Sequence, residues 1–197
     1  RYGLGAVRNV GVAACDQIVA ERRENGPYRD FTDFLSRSGE YLNRRMVESL
    51  IFAGALDCFG LKRSQMEEAC PKAMEAVAEE RRMRQSGQTN LFDLFAGEPD
   101  MAVQIDIPNL PEYERGVLLA HEKEATGLYI SGHPLNDYEE ELSRLPYRIA
   151  DVEQATDEEG SVHEGESVRL GGIVSQFRQK VTRSGSLMAY AVLEDMT

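Results

Sequence analysis

Apolar residues recur over the first 84 positions at the three-to-four-residue spacing of amphipathic helices, and the end of the chain switches to the alternation of strands. The pattern predicts a helix over 12–24, stopped by Asn25-Gly26-Pro27, and a short one from Phe31 that ends near Gly39. Leu42, Met46, Leu50 and Ala53 fall on one face of a third helix, which Gly54 breaks. A long helix over 64–84 follows, with Pro71 one turn in or marking a restart. Asn109-Leu110-Pro111 predicts another helix running to about Leu128, with Tyr113, Val117, Leu118, His121 and Ala125 near one face. A shorter one is predicted over 137–142. Residues 168–174 and 188–193 have the β-branched, alternating character of strands, joined by the turn Arg183-Ser184-Gly185-Ser186, and Gly171-Gly172 permits a sharp bend. The fold class is therefore mainly α, a helical block and a helical connector followed by the first strands of a small sheet.

One stretch has no period. Gly87-Gln88-Thr89-Asn90-Leu91-Phe92-Asp93-Leu94-Phe95 puts an amide side chain, two spacers and an aliphatic–aromatic pair in a polar linker. Two readings stand: a docking peptide, in which Gln88 hydrogen-bonds both ways while Leu91 and Phe92 fill an apolar pocket, or a satellite cluster lying back on the neighbouring helices.

With 42% hydrophobic residues in 197, the chain can fill one large or two small cores. No stretch approaches the roughly 18 apolar residues of a membrane helix, and no signal peptide heads it. Cys15, Cys58 and Cys70 are an odd number at wide spacings, which fits neither a disulfide framework nor a zinc site and gives a reducing, cytoplasmic compartment as the default. The chain opens at Arg1 without a methionine and is expected to be a piece of something larger. Its net charge of -12 argues at first against nucleic acid, but the charge is uneven. Residues 1–64 hold ten Lys or Arg against eight Asp or Glu, leaving -14 to the other 133. Residues 151–166 hold seven acids and no Lys or Arg, an acidic connector, whereas 167–193 hold Arg169, Arg178, Lys180 and Arg183 and no acid. Local patches decide the matter.

The sharpest candidate chemistry lies in Gly3-Leu4-Gly5-Ala6-Val7-Arg8-Asn9-Val10-Gly11, which has the outline of a helix-hairpin-helix. Asn9 and Gly11 both tolerate positive φ, so the chain can turn tightly around Val10 and leave the next helix's first N–H groups, at Gly11, Val12 and Ala13, pointing outward. With the helix dipole those groups form a seat for a phosphate oxygen. The alternative is an ordinary helical turn. Ala53-Gly54-Ala55 is a weaker candidate for a second hairpin. Arg8, Arg44, Arg45, Lys62 and Arg63 are candidate phosphate contacts, against the alternative of a solvated helix face. His121 and His133 read as structural, since neither has a nucleophile or a ligand partner at useful spacing. Phosphoryl transfer needs carboxylates clustered around metals, and no such cluster is legible, so no catalytic or metal-binding residue is assigned.

Residues 3–11, Leu42-Asn43-Arg44-Arg45, Leu50-Ile51-Phe52-Ala53-Gly54-Ala55-Leu56-Asp57 and Ser131-Gly132-His133-Pro134-Leu135 together resemble, in the same order along the chain, the C-terminal part of the alpha subunit of bacterial DNA polymerase III. That resemblance implies a tandem helix-hairpin-helix domain over 1–84 holding duplex DNA behind a polymerase active site. It implies a linker over 85–110 whose Gln88, Leu91 and Phe92 match a sliding-clamp-binding peptide at 88–92, then a helical connector over 111–150. An OB-fold begins over 166–197, with Phe177, Arg178, Lys180 and Arg183 flanking a groove for single-stranded DNA once the barrel is complete. It further implies other replicase subunits as partners, magnesium for the parent polymerase, and catalytic aspartates upstream of this chain, which would itself hold no cofactor. The competing classes are a non-polymerase adaptor with the same two modules and a purely structural helical domain.

Overall fold

The computed structural model describes residues 3–85, 105–154, 162–163 and 165–196. They form two compact units, Arg1–Ser131 and Gly132–Thr197.

In the first unit a 3-10 turn, Leu4–Ala6, leads into α1 (Val12–Asn25), whose Ala14, Cys15 and Ile18 face inward and which ends where Gly26 takes φ 82°. α2 (Phe31–Ser38) starts where the Asp30 carboxylate accepts the N–H of Asp33. α3 (Arg44–Phe52) starts in the same way, with Asn43 accepting the N–H of Met46. Leu42, Leu50 and Ala53 are buried as their spacing predicts, and Val47 and Ile51 go deeper still at 0% exposure. Gly54 and Gly60, both at φ 71°, bracket the 3-10 turn Asp57–Phe59 before α4 (Arg63–Gln85). α4 runs unbroken through Pro71, so of the two readings given for that proline the restart does not occur. One core joins Phe31, Phe34 and Leu35 to Val47, Leu50, Ile51, Met66 and Cys70, each such side chain contributing roughly 1.5–3 kcal/mol by burial.

The predicted helix at 109–128 is shorter than expected: α5 is Arg115–Thr126. Residues 105–114 form neither helix nor strand, because their polar groups are already engaged at the start of α4. Pro108, Leu110 and Pro111 give their carbonyls to Gln65, Lys62 and Ser64, and Glu112 accepts the backbone N–H of Arg63 and Ser64.

The second unit opens with a 3-10 turn, Pro134–Tyr138, capped by His133, whose Nδ1 accepts the N–H of Leu135. α6 (Glu139–Ser143) completes the predicted 137–142 helix, and α7 (Ile149–Gln154) occupies the start of the segment read as an acidic connector. β1 (Ile173–Val181) and β2 (Leu187–Glu194) form an antiparallel hairpin with an irregular register between Val174 and Gln176. The first strand thus begins later than the predicted 168–174. Gly171 and Gly172 are pressed against Leu142, Leu145 and the Glu194 carbonyl, where any side chain would collide, and cross-strand pairing begins at Ile173.

Candidate nucleic-acid interface

Val7 and Val10 are buried and fix the hairpin to the core, and the Val10 N–H closes it onto the Val7 carbonyl. Between them Asn9 has φ 64°, the left-handed conformation that its residue type predicts, and its Nδ2 donates to Ser49 Oγ of α3 at 3.1 Å. Gly11 departs from expectation. It has φ -71° and ψ 148°, an extended N-cap that any residue can adopt, so positive φ is needed at one flank of Val10 rather than two. What Gly11 supplies is bareness. No side chain caps α1, its first turn carries no acid, and the first intrahelical bond runs from the Cys15 N–H to the Gly11 carbonyl. The N–H groups of Val12 and Ala13 therefore begin an exposed helix end, with the Val12 side chain 68% exposed beside them. Arg8 is exposed while its backbone N–H bonds to the Ala125 carbonyl at 2.7 Å, which ties the hairpin to the last turn of α5.

The structure brings α3 up to this hairpin. Met46 is the nearest side chain to Gly11, and Arg44 and Arg45 precede it on the exposed first turn of α3, Arg44 paired with Glu48 at 2.6 Å. Lys62 is exposed with Nζ on the Leu110 carbonyl at 3.1 Å. Arg63 cannot reach a phosphate: it is 7% exposed, and its guanidinium donates to both Asp57 oxygens at 2.9 and 2.7 Å, to Glu122 at 2.9 Å and to the Phe52 carbonyl. Glu122, 0% exposed, uses its other oxygen to accept the N–H groups of Ile130 and Ser131. Burial alone would raise the Glu122 carboxyl, but those N–H groups and Arg63 outweigh it and hold the group below the ordinary carboxylate range. Gly54 lies directly against this guanidinium, which explains a glycine there beyond its φ of 71°. No single element carries this lock, so the sequence pattern did not reveal it. His121, read as structural, is packed between the rings of Phe52 and Tyr113, and its buried Nδ1 has no hydrogen-bond partner among the described residues.

On the hairpin of the second unit, Arg178 pairs with Tyr190 and Lys180 with Met188, and directly paired residues share a face. Phe177 pairs with Ala191 on the opposite face, with Val181 and Leu187. The ring beside Arg178 and Lys180 is therefore Tyr190, 57% exposed, which sequence reasoning missed; the register of the two strands would have found it. Arg183 lies on the turn between the strands. Gln88, Leu91 and Phe92 lie outside the described residues. Among the described residues no group of three or more His, Cys, Asp or Glu is placed to hold a metal, so none is assigned to magnesium. No described helix is long and apolar enough to cross a membrane. Cys15 and Cys70 are buried free thiols, with burial pushing Cys70 up to about 11, and Cys58 is exposed.

A tight turn around a buried valine that delivers a bare helix end defines a helix-hairpin-helix protein, and the family model described as "Helix-hairpin-helix motif" matches residues 1–66. Among curated proteins the chain is 36% identical to the DNA polymerase III subunit alpha of Mycobacterium leprae (strain TN) over 198 residues, covering 100% of this chain and 16% of that protein. It is 34% identical to the subunit of the same name from Xylella fastidiosa (strain 9a5c), covering 99% and 17%. Identity to that of Escherichia coli (strain K12) is 31%, covering 98% and 16%. The chain belongs to the family of bacterial DNA polymerase III alpha subunits and spans about a sixth of the length of these relatives.

Proposed function

We propose that this chain is the part of a replicative DNA-directed DNA polymerase that grips duplex DNA behind the active site and tethers the enzyme to the sliding clamp. The observation that carries the reading is the bare, acid-free start of α1, delivered by a hairpin whose shape is fixed by Asn9. A phosphate oxygen accepts from the N–H groups of Gly11, Val12 and Ala13 while Arg8, Arg44 and Arg45 add charge around it. Lys62 contributes at the edge, and Arg63 serves the fold instead.

The remaining roles rest on family likeness and on local chemistry. Residues 1–84 are the DNA-gripping domain and 85–110 the linker with the clamp peptide. Residues 111–150 are the connector, and 166–197 begin an OB-type barrel. Gln88, Leu91 and Phe92 dock on the clamp. Arg178, Lys180 and Tyr190 present charge and a stacking ring to single-stranded DNA, with Arg183 on the adjoining turn and Phe177 on the opposite face of the hairpin. Nucleotidyl transfer with magnesium belongs to parts of the parent protein outside this chain, other replicase subunits are its further partners, and the cytoplasm is the compartment this role requires.

Titration of the chain with unrelated duplexes tests the grip. Backbone contacts carry no sequence information, so affinities should be alike, and the slope of log affinity against log salt should be about -2 to -4 because few phosphates are neutralised. Arg8→Ala should remove about one unit of that slope. Absence of duplex binding even at low salt would refute the reading.

A further inference from the structure

We infer that Glu112 closes the second hairpin to DNA, filling in cis the seat that a phosphate would take, so that the helical block holds duplex through its first hairpin alone. This rests on the proposed reading of the first hairpin. The second hairpin is the connection from Ala53-Gly54-Ala55 through the 3-10 turn Asp57–Phe59 and Gly60 to α4, and the starts of α1 and α4 present the same object, the N-terminus of a helix after a turn, in different states. At α1 the end is bare. At α4 the carboxylate of Glu112, arriving from 48 residues further along the chain, accepts the Arg63 N–H on one oxygen at 2.9 Å and the Ser64 N–H on the other at 3.2 Å. A carboxylate straddling the first amides of a helix satisfies the same donors and the same dipole as a phosphate does.

The surrounding contacts show that this is a built occupancy. Ser64 Oγ donates to the Pro111 carbonyl at 2.7 Å, Gln65 donates to the Pro108 carbonyl at 2.9 Å, and Tyr113 bonds through its hydroxyl to Glu67. The strap is thus pinned on both sides of its acid. Its negative charge also repels an incoming phosphate, whereas the first hairpin offers no acid in its helix's opening turn. The tandem arrangement is therefore asymmetric: one hairpin meets the backbone and the other receives the chain.

Backbone amide resonances of the 197-residue chain, followed during titration with inorganic sulfate and separately with a duplex, test the assignment. In the parent, sulfate should shift the Val12 and Ala13 amides and leave those of Arg63 and Ser64 in place. In Glu112→Ala, Arg63 and Ser64 should respond to sulfate as well, and the salt slope of duplex binding should steepen by about 0.9, the contribution of one further phosphate. Where the alanine variant does not fold, Glu112→Gln, which keeps the side chain's volume and one acceptor but loses the charge and the second acceptor, should free one of the Arg63 and Ser64 amides to respond to sulfate. Arg63 and Ser64 amides that shift in the parent, or that stay unresponsive in a folded variant, would overturn the inference. Should neither protein bind duplex while sulfate moves Arg63 and Ser64 only in the variant, the strap stands and the DNA-gripping reading falls.

Discussion

Asn9 and Gly11 divide between them the work that a pair of glycines would share. Asn9 holds φ 64°, a conformation that costs most non-glycine residues about 1–2 kcal/mol, and recovers part of that through Ser49. Asn9→Val adds a β-branched clash to the lost bond and should lower stability by roughly 2–3 kcal/mol in chemical denaturation. Asn9→Gly removes only the bond and should cost about 1 kcal/mol. An Asn9→Val protein as stable as the parent would contradict this account of the turn. Gly54 is a different case, since a methyl group there meets the buried Arg63 guanidinium. Gly54→Ala combines strain at positive φ with displacement of a buried charge, and a loss of more than about 3 kcal/mol is expected. A thermal melt within a degree of the parent would show that the guanidinium moves aside freely.

The contact of α3, α4 and α5 is made by charge as well as by packing. Removing one partner of a buried pair leaves the other uncompensated, so Glu122→Ala should cost about 3–5 kcal/mol, measured by denaturant unfolding. The depressed Glu122 carboxyl, together with Asp33, whose burial is outweighed by the Arg29 N–H and by Arg37, sets the pH response. Stability from such groups is fully present above the ordinary carboxylate range of about 4 and is lost as pH falls through their lower folded values. Unfolding free energy should therefore drop steeply below about pH 4, and less steeply in Glu122→Gln; equal acid slopes would contradict the role given to Glu122. The first four helices were legible in the sequence because their signals are local: Asp30 and Asn43 cap, Gly26 stops, and apolar residues repeat. The start of α5 and the fate of Arg63 were not, because both depend on groups 48 to 59 residues away. Likewise, Phe177 and Arg178 are neighbours in sequence, and only strand pairing sends them to opposite faces.

For the whole molecule the proposed reading gives two roles, a grip on duplex DNA by residues 1–84 and docking through the linker, and each can be measured separately. Burying the Phe92 ring on a clamp supplies about 1.5–3 kcal/mol, so Phe92→Ala should weaken clamp binding roughly 10- to 150-fold in a direct titration, and equal affinities would remove the docking role. On a polymerase already held to DNA even weak docking becomes intramolecular, which gives it consequence for processivity. The pure chain should incorporate no nucleotide on a primed template with magnesium, since its described residues offer no cluster of acids to hold the ion; incorporation would refute that. The tight turn at Asn9 was readable from sequence, whereas the capping of α4 by Glu112 was not, because a lone acid in a linker carries no period. The central claim is that the bare end of α1 receives a DNA phosphate, and Val12→Asp tests it most directly. An acid in the first turn favours the helix dipole by about 0.3–1 kcal/mol, so the variant should melt no lower than the parent. Its carboxylate sits where the phosphate would, so duplex affinity at low salt should fall roughly tenfold or more. A folded Val12→Asp protein that binds duplex as tightly as the parent would contradict the claim and leave the hairpin as a turn.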